Sequence, residues 1–186
     1  MKIIGLTGTM GSGKDTVKGI LVNRLNATTV TLSDVIRAEL EKKKGIADRT
    51  TLQNMGNEMR QKYGPHILAM LAVEYLSRSK KFVIIDGIRN PAEAEYLGKK
   101  FGSEFKLIAV DAPQQIRFER MQKRLNRNDP KTFEEFTAAD SREMGDTEPP
   151  YGLQLKKCIE QADFVINNEG TVEDLQKKVD EVIQRI

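Results

Sequence analysis

The chain has 186 residues, a formal net charge of +3, 39% apolar residues and 31% charged ones. That length suits one domain whose core needs no disulfide or metal staple, and so small a charge, spread along the chain, does not by itself argue for nucleic acid, which is not the expected partner. A single cysteine, Cys158, excludes an intrachain disulfide, and a single histidine, His66, argues against a Cys-His or His-rich metal site.

The N-terminal run "MKIIGLTG" is too short for a signal peptide or a membrane span, so a cytoplasmic protein without membrane contact is expected. Within it, "KIIGL" is the first of five short apolar runs; "TTVTL", "FVIID", "FKLIAV" and "DFVIN" follow. Runs of this kind read as strands buried on both faces of a parallel sheet. The first feeds "GTMGSGKDT", in which Gly8, Gly13 and Lys14 complete G-x-x-x-x-G-K. A helix with Val17, Ile20, Leu21 and Leu25 on one face comes next. Strand, glycine-rich loop and helix form the setting a phosphate-binding loop requires. The N–H groups around Gly8, Gly11, Ser12 and Gly13 curl toward phosphate oxygens, the helix start adds positive charge, and Lys14 reaches the outer phosphates of ATP. Asp15 stands where Ser or Thr usually holds Mg²⁺, and the hydroxyl of Thr16 comes one place later. Asp15 either holds a metal-bound water or caps the helix start, where a carboxylate is favoured.

After "TTVTL", Ser33 is expected to cap a helix carrying Val35, Ile36 and Leu40. Asp34 and Arg37 lie one helical turn apart there. Asp34 orients or deprotonates an acceptor while Arg37 holds its phosphate; a plain first-turn carboxylate is the other reading of Asp34. The stretch of about 35–80, with breaks at Gly45 and Gly64-Pro65, reads as a helical acceptor-binding insertion, and Arg60 within it is either an acceptor contact or an exposed helical arginine. "FVIIDGIRN" ends a strand on Asp86, placed to orient Mg²⁺ through water, with Arg89 where a second phosphate would lie. Asn90, Pro91 and Glu93 then spell a capped helix start.

"QQIRFERMQKRLNR" puts Arg120 and Arg124 on one helix face, flanked by Arg117 and Arg127. The polar, Pro- and Gly-rich stretch of about 126–150 reads as a short mobile lid, with Arg142 on its far side. Either the helix is a solvated basic surface, or closure brings Arg120, Arg124 or Arg142 onto a transferring phosphoryl group. Thr171 with Asp174 opens the last helix, along which Val172, Leu175, Val179, Val182 and Ile186 recur at helical spacing. Alternation of strands and helices implies a doubly wound α/β fold with right-handed crossovers and ligands beyond the carboxyl ends of the strands.

"GTMGSGKDT", "LSDVIR", "IIDGIRNPAEAEYL", "RFERMQKR", "DPKTFEEF" and "ADFVINNEGT", in this order, resemble the nucleoside-kinase group of P-loop proteins. The likeness is to small archaeal-type proteins related to adenylate kinase or dephospho-CoA kinase, and it covers essentially the whole chain. It implies a three-layer α/β/α sandwich around a five-stranded parallel sheet, an acceptor region after the second strand, an arginine-bearing lid, and ATP with Mg²⁺ as donor. It also implies that Asn168 and Gly170 neighbour the adenine. The chain departs from adenylate kinases in having D-G-I-R for D-G-F-P-R, and from dephospho-CoA kinases in having Leu32 for the first acid of a D-x-D-like pair.

These readings give an ATP- and Mg²⁺-dependent kinase of a small phosphate-bearing acceptor, with a (deoxy)nucleoside monophosphate first in line. Dephospho-CoA kinase is the alternative within enzymes. A nucleotide-binding regulatory protein or slow ATPase is the alternative of another class. A GTPase switch and an ABC-type ATPase are disfavoured, since neither N-K-x-D nor L-S-G-G-Q occurs.

Overall fold

A computed structural model describes residues 1–42, 48–76, 79–124 and 129–186. Five strands, β1 (Lys2–Gly8), β2 (Thr28–Thr31), β3 (Phe82–Asp86), β4 (Phe105–Asp111) and β5 (Phe164–Asn167), form one sheet in the order β2-β3-β1-β4-β5. Every pairing is parallel. The register sets Asp86 beside Leu6 of β1 and Thr31 of β2, so β2 and β3 end level and β1 runs two residues further, to Gly8.

Parallel strands need crossovers, and the helices that supply them cover both faces. Alternate residues of each central strand go to opposite sides. Ile3, Val83, Ile85 and Leu107 join one core with α2 (Leu32–Lys42), α3 (Arg49–Tyr63), α4 (Ile67–Glu74), α5 (Pro91–Phe101) and Cys158 of the short α8 (Leu155–Glu160). Ile4, Leu6, Ile84, Ile108 and Val110 join the other, packed by Val17 and Leu21 of α1 (Lys14–Leu25) and by Leu175, Val179 and Val182 of α9 (Val172–Ile183). A third, smaller core holds Met10 of the glycine loop, Met121 of α6 (Gln114–Arg124) and Phe136 of α7 (Phe133–Met144).

Four local expectations need correcting. The edge strands β2 and β5 are only partly covered, since each has a neighbour on one side alone. β2 runs directly into α2 at Leu32, so Ser33 lies inside the helix and its Oγ accepts from Arg37 instead of capping. Val172 is exposed and Ile186 lies past the end of α9. Finally, the stretch of about 126–150, read as a short mobile lid, is not loop throughout: it contains α7, which has a complete Thr132–Glu135 capping box and buries Phe136 fully. Gly64 ends α3 as expected, with φ at 101°; the break at Gly45 lies outside the described residues, as does Arg127. Among the described residues, no helix is long and apolar enough to cross a membrane.

Candidate active site

The glycine loop joins β1 to α1. Gly11 has φ at 79°, and a Cβ there would stand 2.5 Å from the carbonyl oxygen of Arg117; only glycine permits that approach. Gly13 is the N-cap of α1 in the left-handed region. Several groups hold the loop from outside. Arg117 donates to the carbonyls of Met10 and Ala112, Thr9 Oγ1 donates to Asp111 at 2.6 Å, and Asn168 Nδ2 donates to the Ser12 carbonyl at 2.8 Å. The N–H groups of Thr9 and Ser12 are spent on the carbonyls of Val110 and Thr9, so an anion cradle is left to the rest of the loop and the first turn of α1. Ser12 Oγ is buried without a hydrogen-bond partner.

Asp86, 1% exposed at the end of β3, takes two ammonium groups. Lys14 Nζ lies 2.5 Å from Oδ1 and Lys18 Nζ 2.7 Å from Oδ2. Lys18 follows Lys14 by one turn of α1 and therefore shares its face. Lys18 Nζ also lies 3.1 Å from Asp15 Oδ1, and Lys14 Nζ lies 3.6 Å from it. Burial works against the charge on Lys18, but the hydrogen bond and charge of Asp86, then those of Asp15, outweigh it and push the ammonium's pKa up. Burial likewise opposes the Asp15 carboxylate, and the charge of Lys14 with the hydrogen bond from Lys18 pulls its pKa down. Asp15 stands in the first turn of α1, where a carboxylate is favoured, with its side chain against the two lysines.

Two clefts open on this face. One, of about 340 Å³, is lined by the loop from Gly8 to Thr16 with Arg120 and Met121 of α6. The other, of about 480 Å³, is lined by Lys18, Thr31, Asp34, Arg37, Arg60 and Asp86 and by an aliphatic wall of Leu32, Ile36, Leu52, Leu68 and Leu153. Lys14, Asp15, Arg89 and Arg124 line both, so they form the seam.

The sequence-derived residues fall into three groups. Lys14, Asp15, Thr16, Arg120 and Arg124 come together at the loop cleft, and Asp34, Arg37, Arg60, Asp86 and Arg89 at its neighbour. Arg120 Nη1 lies 3.5 Å from the Ser12 carbonyl, Arg124 pairs with Asp129, and Arg37 pairs with Asp34 at 2.6 Å. Arg60 is 3% exposed and bonded to the buried Glu93, which removes the exposed-arginine reading. Arg142 lines neither cleft; it pairs with Glu148 and donates to Asn54. Asn168 and Gly170 also line neither cleft. Asn168 lies under the loop, and Gly170 is exposed just before the N-cap of α9. His66 stacks on Tyr96, and burial first of all pushes the Cys158 thiol pKa far up, so neither is a reactive group here.

Three residues of the site escaped the sequence reading. Lys18 had a usable signal, its spacing of four from Lys14 on an amphipathic helix. Glu93 was read only as a cap. Its Oε2 accepts from the N–H groups of Arg89 and Asn90 while Oε1 takes Arg60, so it ties two arginines of the cleft together. Glu143 is 2% exposed and accepts from Arg89 at 2.6 Å; nothing local in "SREMGD" announces it.

Residues 4–142 match a family model described as an AAA domain. A UPF0200 protein of Pyrococcus horikoshii is 32% identical over 188 residues, covering 99% of this chain and 97% of that protein. A UPF0200/UPF0201 protein of Archaeoglobus fulgidus is 32% identical over 189 residues, and the chain spans 56% of its length. Among solved structures, shikimate kinase from Acinetobacter baumannii in complex with shikimate superposes with a TM-score of 0.56 at 20% identity, over 100% of this chain and 94% of that one. At that identity the likeness speaks for the fold, a P-loop kinase-like α/β sandwich.

Proposed function

We propose that this chain, which belongs to the UPF0200 proteins and carries an AAA domain, is a P-loop kinase that transfers the γ-phosphoryl group of ATP to a small phosphate-bearing acceptor. A (deoxy)nucleoside monophosphate is the first acceptor class to consider. The observation that carries the reading is the seam. A phosphate loop and a second, cation-lined cleft open onto the same four residues at the carboxyl ends of the strands. A donor held in one and an acceptor in the other meet there in line.

The roles follow from position. The loop N–H groups and Lys14 hold the donor phosphates, and Arg120 and Arg124 face them from α6. Arg37, Arg60 and Arg89 offer an acceptor phosphate their planar donors, and Asp34 orients the acceptor from the start of α2. Asp86, Thr16 and Asp15 offer hard oxygen donors of the kind Mg²⁺ takes, and Asp86 with Thr16 would hold it, Asp86 through water. Bound there, the ion supplies charge neutralisation at the phosphates. No protein nucleophile is needed, because phosphoryl transfer runs on positioning and electrostatic stabilisation. One observation favours a hydroxyl acceptor, dephospho-CoA among them. The Asp34 carboxylate is largely exposed on the cleft wall, where a general base would stand.

ADP release from Mg·ATP, measured with AMP, CMP, UMP, GMP, dTMP, the other deoxymonophosphates and dephospho-CoA in turn, tests the proposal, with Lys14→Ala as the blank. Stimulation by a monophosphate supports it. Stimulation by dephospho-CoA alone, abolished in Asp34→Asn, moves it to the hydroxyl reading. A flat panel over a Lys14-dependent background replaces it with a slow ATPase or regulatory role.

A further inference from the structure

We infer that Glu143 is a positioning residue through which helix α7 sets the Arg89 guanidinium at the seam of the two clefts. The inference rests on the kinase reading above and says how its seam is held. Glu143 Oε1 accepts from Arg89 Nη1 at 2.6 Å and from Gln53 Nε2 at 3.1 Å. Three elements distant in sequence, α3, the turn after β3, and α7, therefore meet on one buried oxygen. Burying a carboxylate is costly unless it is paired and hydrogen-bonded, and here both conditions are met by residues of the cleft walls.

The main chain of Arg89 is fixed independently of Glu143. Its N–H donates to Glu93 Oε2 at 2.8 Å, and its carbonyl accepts from the Gln154 N–H at 2.8 Å. Only the side chain, 36% exposed, is left for Glu143 to orient. The charge of Glu143 is the largest influence on the guanidinium and pushes its pKa up, with Asp86 and Glu93 as further carboxylates in range. Glu93 already holds Arg60. Asp86 already takes Lys14 and Lys18, so neither carboxylate stands ready to replace Glu143.

The same helix is fastened to the phosphate loop. Asp140, one turn before Glu143, takes Arg117 in a two-pronged pair at 2.6 and 2.8 Å, and Arg117 Nη1 also donates to the Met10 carbonyl. Phe136, one turn earlier again, packs against Met10 and Met121. One face of α7 thus reaches the loop directly through Phe136 and by way of Arg117 from Asp140, and the seam through Glu143.

Glu143→Gln tests the inference, because it keeps the volume and an accepting oxygen but removes the charge. The expected result is an acceptor KM raised about tenfold and, because Arg89 and Glu143 also line the loop cleft, an ATP KM raised by less than that, with kcat within about threefold of the parent. In an Arg89→Ala background the same change should add less than about twofold, since the two residues act as one. A readout independent of turnover is the Arg89 Nε–H resonance of the full chain labelled with ¹⁵N-arginine, assigned by its loss in Arg89→Lys. Glu143→Gln should shift and broaden it, and about ten times more inorganic phosphate should be needed to perturb it further. Glu143→Asp, which keeps the charge on a shorter stem, should show the same changes at smaller size and serves if the glutamine variant does not fold. An unchanged Arg89 resonance, or kinetic effects that add fully to those of Arg89→Ala, would overturn the inference. A wild-type chain that no acceptor stimulates would overturn the kinase reading instead, while the resonance and its phosphate titration still decide the positioning.

Discussion

The two clefts are built differently. The loop cleft takes nine consecutive residues, Gly8 to Thr16, and completes itself with a few side chains on its rim. Its neighbour draws on the N-terminal turns of α1 and α2, on α3 and α4, on the end of β3 and on the segment before α8. The charges differ too. In the second cleft Arg37 pairs with Asp34 and Arg60 with Glu93, and at the seam Arg89 pairs with Glu143 and Arg124 with Asp129. At the loop, Arg120 lies against a carbonyl, with no carboxylate in pairing distance among the described residues. A contiguous site owes its shape to backbone conformation. An assembled one owes it to the packing of its elements, and two of its cations, Arg60 and Arg89, are aimed by buried acids.

That contrast is open to breakage at both ends. Lys14→Ala should lower kcat by about 10³-fold, the scale for losing a charged donor to the transition state, whichever acceptor is used. Phe136→Ala should cost about 3–5 kcal/mol of unfolding free energy, read by urea denaturation, because this fully buried ring joins α7 to the loop. Arg37→Ala should raise only the acceptor KM, by about tenfold (about 1.4 kcal/mol), and leave the ATP KM alone; an equal effect on both would erase the division between the clefts. The lysine clamp on Asp86 should be indifferent to pH across the neutral range. The Lys18 pKa is raised above 10.5, so its contribution is full below that value and is lost as pH climbs through the folded value. The Asp15 pKa is lowered below 3.8, so its contribution is full above 3.8 and is lost as pH falls through the folded value. Urea unfolding of Lys18→Met and the parent should therefore differ by a constant amount between about pH 5 and 9, with the gap narrowing above pH 10.5 and again below pH 3.8. Smallest of all, Asp180→Asn should change stability by under about 0.5 kcal/mol, since its pair with Arg24 is exposed on both sides and far from either cleft.

The five strands, the glycine loop and the caps at Asn90 and Thr171 were legible in the amino-acid sequence because each depends on residues within a few positions of one another. Apolar runs bounded by turn residues read as buried strands, and glycine at a left-handed position reads as a curled loop. The helix inside the supposed lid carried its own signal too, the Thr132–Glu135 capping box, hidden in a stretch whose Pro and Gly content reads as loop. Spacing could not show which carboxylate each arginine faces. Arg60 and Glu93 are thirty-three residues apart, Arg89 and Glu143 fifty-four, and Lys14 and Asp86 seventy-two. Nor could it show that Asn168 braces the loop from beneath, across one hundred and fifty-six residues. Local periodicity and backbone freedom are enough to specify the fold class and the glycine loop. Only the tertiary structure decided which charges meet at the seam. A buried ion pair depends on which elements pack together, and the sheet order and helix docking set that, not the neighbours along the chain.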